Sequence, residues 1–387
     1  MLAMLGEMFS SVTEVRLPQL IMYIIGFVLI YLAIKKDYEP ALLLPIGFGA
    51  ILVNLPFATA WAMDGEKGFL QTFYDFGIIT ELFPLLIFIA VGAMIDFSQL
   101  LKNPKMMLFG AAAQFGIFFT VLVALFLGQQ FPSLGIELKD AAAIGIIGTA
   151  DGPTSIVVAR QFSEKYLGAI TVAAYSYMAL VPIIQPPVVR ALTTKKERLI
   201  RMDYQSSKIS KTALVIFPIA ITIVSGILAP ASASLIGSLM FGNLIRECGV
   251  LERLSKTAQN ELANLITILL GITIGATMQA ETFLKAQTLL ILALGLVAFI
   301  FDTAGGVLFA KLLNVFSKNK INPMIGAAGI SAFPMSSRIV QRMAKEEDPT
   351  NFILMPAVSA NVSGQLGSVV AGGMILHIVP ILLERLG

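Results

Sequence analysis

Long apolar segments follow one another along almost the whole chain, and glycine and proline interrupt several of them. They lie at about 18–34, 40–57, 81–97, 105–128, 140–161, 166–190, 212–229, 231–246, 262–279, 285–313, 322–344 and 350–383. About 20 consecutive apolar residues are enough for a helix to cross a bilayer. The pattern therefore predicts an all-α polytopic membrane protein with about 11 transmembrane segments.

The composition excludes most other classes of protein. The chain is 57% hydrophobic and 13% charged, whereas soluble domains carry about 25% charged residues. The single cysteine, Cys248, and the single histidine, His377, exclude a disulfide framework and a thiolate- or histidine-rich metal centre. With 27 basic and 24 acidic residues there is no basic excess for nucleic acid. Neither a Walker A motif nor a dinucleotide-binding glycine motif is present.

The distribution of charge predicts the orientation of the chain. Residues 190–211 contain seven Lys or Arg and two acidic residues, so the positive-inside rule places them in the cytoplasm. The loop at 58–80 is mainly acidic and is placed outside, which leaves Lys35 and Lys36 inside. If every apolar segment crossed the membrane, residues 190–211 would lie on the wrong side. At least one segment of the first half is therefore expected to be re-entrant.

An internal repeat relates the two halves of the chain. Three pairs of segments match in the same order at offsets of 181 to 184 residues: 91–102 with 274–285, 144–157 with 325–340, and 174–178 with 358–362. An odd number of crossings in each half would make the halves inverted, as in many transporters. The predicted division is an N-terminal interfacial segment at 1–17, a first transmembrane repeat at 18–190, a basic cytoplasmic linker at 191–211 and a second repeat at 212–387.

Asp151 is the outstanding candidate for chemistry, because it lies in GTADGPTS within an apolar segment. A carboxylate near the bilayer centre costs about 2.5–3.5 kcal/mol on insertion scales, and such residues usually line ion or proton pathways. Pro153 removes a helical hydrogen bond and Gly152 tolerates an unwound backbone. The break leaves carbonyl oxygens beside a carboxylate, a set of ligands that suits Na⁺. The alternative is that Asp151 only caps a helix after a kink.

The matching segment of the second half has no carboxylate, but it offers neutral oxygen ligands and a cation. Asn322, Ser331 and the carbonyls around Gly326 precede the positive charge of Arg338. Asn361 lies in the next apolar segment. Amide and hydroxyl oxygens are neutral ligands for a cation, and the alternative for each residue is hydrogen bonding or close packing between helices.

Three further residues in apolar segments have less specific signals. Tyr177, which aligns with Asn361, lies mid-segment, and its phenol is a ligand, a proton donor or a hydrogen-bond partner. Tyr175 is assigned to the aromatic belt at the membrane interface. Asp302 is assigned a structural role, paired with Lys285 or Lys311.

Four long strings carry a resemblance to a known family. They are GTADGPTS, VPIIQPPVVRALTTKKERLIRM, INPMIGAAGISAFPMSSR and SANVSGQLGSVVAGG. Together they resemble the β subunit of the sodium-pumping, biotin-dependent decarboxylases, which include the membrane subunits of oxaloacetate, methylmalonyl-CoA, glutaconyl-CoA and malonate decarboxylases. The resemblance extends over essentially the whole chain.

The resemblance implies a function, cofactors and partners. A β subunit of this family removes CO₂ from carboxybiotin on a biotin carrier protein, and it couples proton consumption to Na⁺ export across the bacterial inner membrane, as a translocase. The implied cofactors are Na⁺ and biotin, the latter carried by a partner. The implied partners are a carboxyltransferase α subunit, a biotin carrier protein or domain, a small single-span membrane subunit and further copies of this chain in a homotrimer.

Carried over position by position, the resemblance also implies the site. It gives catalytic roles to Asp151, Tyr177 and Arg338, and contact with carboxybiotin to Arg338 and Ser331. The implied Na⁺ ligands are Asp151, Asn322, Gly326, Ser331 and Asn361. The alternative function is a secondary Na⁺-coupled transporter or Na⁺/H⁺ antiporter without enzymatic activity, because inverted repeats with broken helices suit that function equally well.

Overall fold

A computed structural model describes residues 15–56, 60–63, 66–202, 209–228 and 230–386. The regular secondary structure within these ranges is helical, apart from an antiparallel pair of two-residue strands, β1 (Ala62–Met63) and β2 (Glu66–Lys67). The interfacial segment predicted at 1–17 falls outside the described residues except for its last three. Part of the predicted linker, 203–208, also lies outside them.

The helices follow one another in two series. The first series is α1 (Leu17–Lys36), α2 (Pro40–Val53), α3 (Phe69–Phe73), α4 (Leu82–Met94), α5 (Ser98–Lys102), α6 (Met107–Ala113), α7 (Phe115–Gln130), α8 (Leu138–Gly145), α9 (Gly152–Phe162) and α10 (Leu167–Leu192). The short helix α11 (Lys195–Arg198) begins the linker. The second series is α12 (Lys211–Leu228), α13 (Ala233–Glu247), α14 (Glu252–Thr257), α15 (Ala263–Ala276), α16 (Ala280–Phe283), α17 (Ala286–Phe316), α18 (Met324–Ala327), α19 (Met335–Glu347) and α20 (Leu354–Leu386).

Short π-helical and 3₁₀ segments join some of these helices. The π-helical segments Tyr74–Ile79 and Ala258–Leu262 precede α4 and α15, the helices that contain or adjoin the first pair of matching segments. The 3₁₀ segments are Pro104–Met106, Pro132–Leu134, Ile146–Thr149, Glu164–Tyr166 and Pro230–Ser232. The two halves therefore share local irregularities as well as sequence.

Five helical stretches are long and apolar enough to cross a membrane. They contain 20 to 32 residues and lie at Leu17–Lys36, Pro104–Gln130, Glu164–Leu192, Ala286–Phe316 and Leu354–Arg385. A sixth candidate is the pair Phe69–Ile79 and Leu82–Met94, which is bent by 62°. The all-α, multi-pass architecture is thus confirmed. The number of about 11 crossings stays a prediction, because the other apolar segments are shorter or broken.

The outer surface of α1 shows why this fold needs an apolar solvent. Leu17, Ile24, Phe27 and Ile34 expose 63–71% of their surface. Large exposed apolar patches are rare on soluble monomers, whereas lipid solvates such side chains without cost. Placing α1 in a bilayer therefore explains a surface that water would destabilise.

Glycine allows two pairs of helices to cross closely. A Cβ atom built on Gly49 of α2 or on Gly275 of α15 would lie 2.4 or 2.2 Å from a carbonyl oxygen of the facing helix. Gly92 of α4 and Gly242 of α13 meet each other's helix in the same way, at 1.9 and 2.0 Å. Each pair joins a helix of the first half to a helix of the second. Small residues permit such close backbone contact between membrane helices.

Helices α8 and α9 form a hairpin that returns to the end from which it starts. Asp140, near the beginning of α8, accepts a 2.6 Å hydrogen bond from Ser163, directly after α9. Asp140 also forms a 2.8 Å ion pair with Lys165. The segment predicted at 140–161 therefore does not pass from one end of the molecule to the other. This is the kind of first-half segment that the charge distribution requires.

Helices α18 and α19 form a second hairpin whose two ends meet the linker. The side-chain amide of Asn322, before α18, donates to the carbonyls of Arg198 and Ile200 at 2.9 Å each. The amide of Asn351, after α19, donates to the same two carbonyls at 3.4 Å. The linker thus joins both ends of this hairpin.

Ion pairs strengthen the contact between the linker and the end of α19. Arg198 pairs with Glu347 and Arg201 pairs with Asp348, both at 2.6 Å. Hydrogen bonds from Thr350 and from Arg201 lower the pKa of Asp348 to about 2. Asp348 is therefore negatively charged toward Arg201 at physiological pH.

Candidate functional site

The first break lies at the tip of the α8–α9 hairpin. Helix α8 gives way to the 3₁₀ segment Ile146–Thr149, and Ala150 adopts a left-handed conformation with φ 50°. Helix α9 begins at Gly152, with Pro153 in its first turn. Proline suits this position because the first turn of a helix needs no N–H donor. The chain is therefore unwound at Ala150 and Asp151, where the sequence predicted the break.

Asp151 lies at the N-terminus of α9 and is buried, with 4% of its surface exposed. Its Oδ2 accepts hydrogen bonds from the hydroxyl of Thr154 at 2.8 Å, the hydroxyl of Ser368 at 2.9 Å and the amide of Gln365 at 3.3 Å. Its Oδ1 accepts the backbone N–H of Thr154 at 3.4 Å. Neutral groups on two helices thus surround the carboxylate.

The contacts of Asp151 extend beyond those of a simple helix cap. The bond from the N–H of Thr154 does cap α9, as the alternative interpretation proposed. Gln365 and Ser368, however, come from α20, more than 200 residues away, and a helix cap does not require them. Among the described residues no Lys, Arg or His forms an ion pair with Asp151. No basic side chain in the described ranges therefore neutralises this carboxylate.

The second break meets the first at its tip. Ser331 lies between α18 and α19, and its N–H and hydroxyl donate to the carbonyl of Thr149 at 3.2 and 2.6 Å. The amide of Asn361, on α20, donates to the carbonyl of Ile330 at 2.7 Å. The amide oxygen of Asn361 is buried without a partner among the described residues. A buried acceptor without a partner calls for an explanation, and the role of a cation ligand predicted for Asn361 is one.

A cavity of about 220 Å³ leads to these residues. Asp151, Tyr175, Ser331 and Gln365 contribute to its wall. The remainder of the wall is largely apolar and comes from α2, α4, α10 and α15. The cavity therefore connects the two breaks with the cross-packed helices of both halves.

Tyr175 was wrongly assigned to the interfacial belt. It is 2% exposed, and a Cβ atom built on Gly152 would lie 2.2 Å from its ring. Its hydroxyl has no hydrogen-bond partner among the described residues. The packing of α10 against α9 brings the ring to the break. The alternation of Tyr175 with Tyr177 in the sequence gives no sign of this contact.

Tyr177 faces α17 and makes no hydrogen bond with Asp151. Its hydroxyl donates to the carbonyl of Leu292, and its ring lies against Gly295. Of the three roles left open for its phenol, the structure shows that of hydrogen-bond partner.

Asp302 forms no ion pair, so the expected pairing with Lys285 or Lys311 is wrong within the described residues. Lys311 instead pairs with Glu197 at 3.2 Å. The Oδ1 of Asp302 accepts the backbone N–H of Ile117 at 3.2 Å, and its Oδ2 has no hydrogen-bond partner. A Cβ atom built on Gly148 would lie 2.3 Å from Oδ2.

Three other residues assigned to the site make no hydrogen bond with the Asp151 carboxylate. The amide of Asn322 is bound to the linker, and its oxygen accepts the N–H of Met324 at 3.1 Å. Gly326 packs against Gly306 of α17, where a Cβ atom would approach a carbonyl to 2.0 Å. Arg338 is exposed on α19. The structure therefore joins Asp151, Ser331 and Asn361, and adds Thr154, Gln365 and Ser368 to them.

Comparison with known proteins identifies the family. The family model described as the Na⁺-transporting oxaloacetate decarboxylase beta subunit matches residues 18–379. The chain belongs to this family.

Three relatives show how closely this β-subunit chain follows the family. It is 48% identical over 383 residues to the methylmalonyl-CoA decarboxylase subunit beta of Propionigenium modestum, covering 94% of this chain and 95% of the relative. It is 50% identical over 359 residues to the glutaconyl-CoA decarboxylase subunit beta of Acidaminococcus fermentans, covering 93% and 92%. It is 46% identical over 413 residues to the oxaloacetate decarboxylase beta chain of Klebsiella pneumoniae, covering 93% and 95%.

The family assignment confirms the resemblance found in the four sequence strings. The chain is a member of a sodium-transporting decarboxylase family, and its apolar helices identify it as a multi-pass membrane protein. Its relatives are named as β subunits of decarboxylases for methylmalonyl-CoA, oxaloacetate and glutaconyl-CoA.

Proposed function

We propose that this chain decarboxylates carboxybiotin on a biotin carrier protein and couples CO₂ release and proton consumption to Na⁺ export across the bacterial inner membrane. The observation that carries the proposal is the environment of Asp151. Its buried carboxylate accepts four hydrogen bonds from neutral donors and has no basic partner among the described residues. Such a group binds either Na⁺ or H⁺.

The proposed architecture is a pair of inverted repeats, 18–190 and 212–387, joined by a cytoplasmic linker at 191–211. Two observations support it. The hairpin α8–α9 closes at Asp140, the hairpin α18–α19 closes at the linker, and their tips meet between Thr149 and Ser331. Exchanging the halves places α4 on α15 and α2 on α13. The close crossing of α2 with α15 then corresponds to that of α13 with α4. Inverted repeats place a site where their broken helices meet.

The proposed Na⁺ ligands are oxygen atoms from both breaks. The carboxylate of Asp151 provides the charge, and the hydroxyls of Thr154, Ser331 and Ser368 can turn a lone pair toward a cation. The free amide oxygen of Asn361 supplies a neutral ligand. Oxygen ligands of this kind suit a hard cation. Asn322 and Gly326 act at a distance, because they hold the second hairpin against the linker and α17.

The proposed reaction needs a group that binds the carboxylate and a group that supplies a proton. We assign the first role to Arg338, whose planar guanidinium matches a carboxylate. Decarboxylation breaks the bond between the biotin nitrogen and the carboxyl carbon, CO₂ leaves, and the electron pair stays on nitrogen. The nitrogen then takes the proton that Na⁺ displaces from Asp151. Tyr177 is assigned a positioning role, because its hydroxyl holds α10 against α17.

The coupling has an energetic requirement. Moving one charge against 100 mV of membrane potential costs about 2.3 kcal/mol. Decarboxylation can supply this energy only if CO₂ release and Na⁺ binding depend on a common group. Competition between Na⁺ and H⁺ for one carboxylate provides that dependence.

The proposed partners are those that the family resemblance implies, and the names of the relatives as β subunits support a multisubunit decarboxylase complex. A carboxyltransferase α subunit supplies carboxybiotin on a biotin carrier protein or domain, and a small single-span membrane subunit completes a complex built on a homotrimer of this chain. The exposed position of Arg338, in the first turn of α19, leaves its side chain accessible to a carrier-bound carboxylate.

The proposal is tested with proteoliposomes that contain the complete complex. ²²Na⁺ uptake and CO₂ release are measured together for the wild type and for Asp151→Asn, with Asp302→Asn as the matched change of another buried carboxyl group. We expect Asp151→Asn to lose Na⁺ uptake and most CO₂ release while the complex still assembles, and Asp302→Asn to retain both.

Two results would reject the proposal. If Asp151→Asn pumps Na⁺ near the wild-type rate, the carboxylate is only a helix cap. If the wild type moves Na⁺ without releasing CO₂ from carboxybiotin, the chain is a secondary Na⁺-coupled transporter or a Na⁺/H⁺ antiporter.

A further inference from the structure

A second carboxylate, Glu39, lines the cavity that leads to Asp151. Glu39 is half-buried, whereas Asp151 is 4% exposed. These two residues are the only acidic ones in the described wall, and no Lys, Arg or His belongs to that wall. Of the two carboxylates in this wall, Glu39 is therefore the more accessible from outside the cavity.

The backbone around Glu39 holds it in an unusual conformation. Glu39 has φ 36° and ψ 64°, in the left-handed region that non-glycine residues rarely adopt. Its carbonyl accepts the N–H groups of Leu42 and Leu43 at 3.0 Å, so it begins α2. Pro40 follows at the first position of that helix. Strained residues of this kind often mark functional sites.

Arg338 is the basic residue whose charge acts on Glu39. Burial raises the pKa of Glu39, the positive charge of Arg338 opposes that rise, and Asp37 adds to it. Neither Glu39 nor Arg338 forms an ion pair within 4.0 Å in the part of the chain that the structure describes. The cavity wall that contains Glu39 also contains Ser331 and Phe333, which precede the helix that carries Arg338. The geometry therefore places Arg338 near the cavity, with no described ion pair to compete with an incoming anion.

We propose that Glu39 attracts Na⁺ at the entrance of the cavity. Until an anionic substrate binds there, the positive charge of Arg338 partly offsets the negative charge of Glu39. This inference rests on the proposed function, because Arg338 is there the group that binds carboxybiotin. When a carboxylate neutralises Arg338, the negative charge of Glu39 is no longer offset and attracts a cation more strongly. Na⁺ entry is thereby favoured when the carboxylated carrier is in place.

The expected effect is one of affinity rather than of maximal rate. A charge at the mouth of a cleft with low-dielectric walls raises the local concentration of the opposite ion. One unit charge acting through a medium of intermediate dielectric changes an apparent affinity by roughly two- to tenfold. Salt screens such an effect over about 10 Å at 0.1 M ionic strength. Saturating Na⁺ should compensate for the loss of the negative charge at Glu39.

The test compares Glu39→Gln with Glu39→Asp, which keeps the charge, and with Asp37→Asn. Asp37 is a matched control because it lies in the same turn, also has a positive φ of 54°, and is absent from the cavity wall. The Na⁺ concentration for half-maximal decarboxylation of free carboxybiotin is measured with the purified complex at about 20 and 200 mM ionic strength, set with choline chloride.

We expect Glu39→Gln to raise that Na⁺ concentration roughly two- to tenfold at low ionic strength and less at high ionic strength, with an unchanged maximal rate. The KM of this variant for carboxybiotin should fall, because no negative charge at residue 39 then offsets the positive charge of Arg338. Glu39→Asp and Asp37→Asn should resemble the wild type. An unchanged Na⁺ requirement in Glu39→Gln, or an equal shift in Asp37→Asn, overturns the inference.

A second measurement separates this inference from the proposed function. Stabilisation of the same variants against heat by NaCl, relative to choline chloride, reports Na⁺ binding without turnover. If the wild-type complex does not decarboxylate carboxybiotin, the proposed function fails, and the half-saturation of this thermal stabilisation still decides the role of Glu39. A Glu39→Gln curve that coincides with the wild-type curve rejects it.

Discussion

The hydroxyl of Ser331 donates a 2.6 Å hydrogen bond to the carbonyl of Thr149, which lies 182 residues earlier in the chain. The N–H of Ser331 donates to the same oxygen at 3.2 Å. One carbonyl of the first break is thus bound by the tip of the second. Any movement of one hairpin relative to the other must therefore break these two hydrogen bonds.

Replacing Ser331 by alanine removes one of the two donors to Thr149. We expect Ser331→Ala to lower stability by about 0.5–1.5 kcal/mol, the net contribution of a typical hydrogen bond, and to raise the Na⁺ concentration for half-maximal decarboxylation. Ser337→Ala is the control, because its hydroxyl bonds locally to the carbonyl of Pro334 at 2.8 Å. If the two variants have the same Na⁺ requirement, Ser331 is a packing residue.

Asn361 and Asn322 should behave differently, although both were assigned as Na⁺ ligands. Asn361→Ala removes a buried amide oxygen that has no other described partner, so we expect the Na⁺ requirement to rise roughly five- to thirtyfold, equivalent to about 1–2 kcal/mol. Asn322→Ala should instead loosen the linker and leave the Na⁺ requirement within about twofold of the wild type. Protease sensitivity of the linker and Na⁺-dependent turnover measure the two effects. Equal Na⁺ shifts in both variants would contradict the assignment.

Na⁺ and H⁺ should compete at Asp151. Protonation removes the charge that holds the cation, so the Na⁺ concentration for half-maximal activity should rise as the pH falls. For one proton competing with one cation, the rise approaches about tenfold per pH unit. Saturating Na⁺ should correspondingly move the acid limb of the pH–rate profile to lower pH. A Na⁺ requirement that is independent of pH would exclude a shared site.

Gly148 and Asp302 should be energetically coupled. A methyl group at residue 148 would lie 2.3 Å from Oδ2 of Asp302, so Gly148→Ala should destabilise by about 1–3 kcal/mol. Asp302→Ala removes that oxygen but leaves the N–H of Ile117 without its acceptor. The double variant should therefore be more stable than the sum of the single effects predicts. Thermal unfolding of all four proteins measures this difference, and strict additivity would refute the contact.

The orientation of the chain is tested by cysteine labelling in a Cys248→Ser background. Lys196→Cys, exposed in the linker, should react with an impermeant reagent only from the cytoplasmic side. Lys67→Cys, exposed on β2, should react only from the opposite side. These outcomes follow from the excess of Lys and Arg in residues 190–211. Labelling of both positions from the same side would show that the predicted orientation is wrong.

The position of the first break could be predicted from sequence because its cause is local. Pro153 cannot continue a helix, and its neighbours Gly152 and Asp151 favour an unwound backbone and a cap. The internal repeat pointed to the matching segment that contains Ser331. The rule that tyrosines gather at the membrane interface misassigned Tyr175, because the exposure of a tyrosine depends on which helix packs against it. The contact between Tyr175 and Gly152 joins α10 to α9, and no sequence pattern indicates it.

The sequence by itself determined that this chain is a multi-pass helical membrane protein and that a helix breaks beside Gly152 and Pro153, and it made Asp151 the first candidate for chemistry. These properties depend on apolar content, on proline and glycine, and on charge, all of which act over a few residues. Only the tertiary structure decided that Gln365 and Ser368 bind Asp151, that Ser331 binds Thr149, and that Asn322 binds the linker instead. Each of these bonds joins residues more than 100 positions apart. Their formation depends on how whole helices pack, which local sequence does not specify.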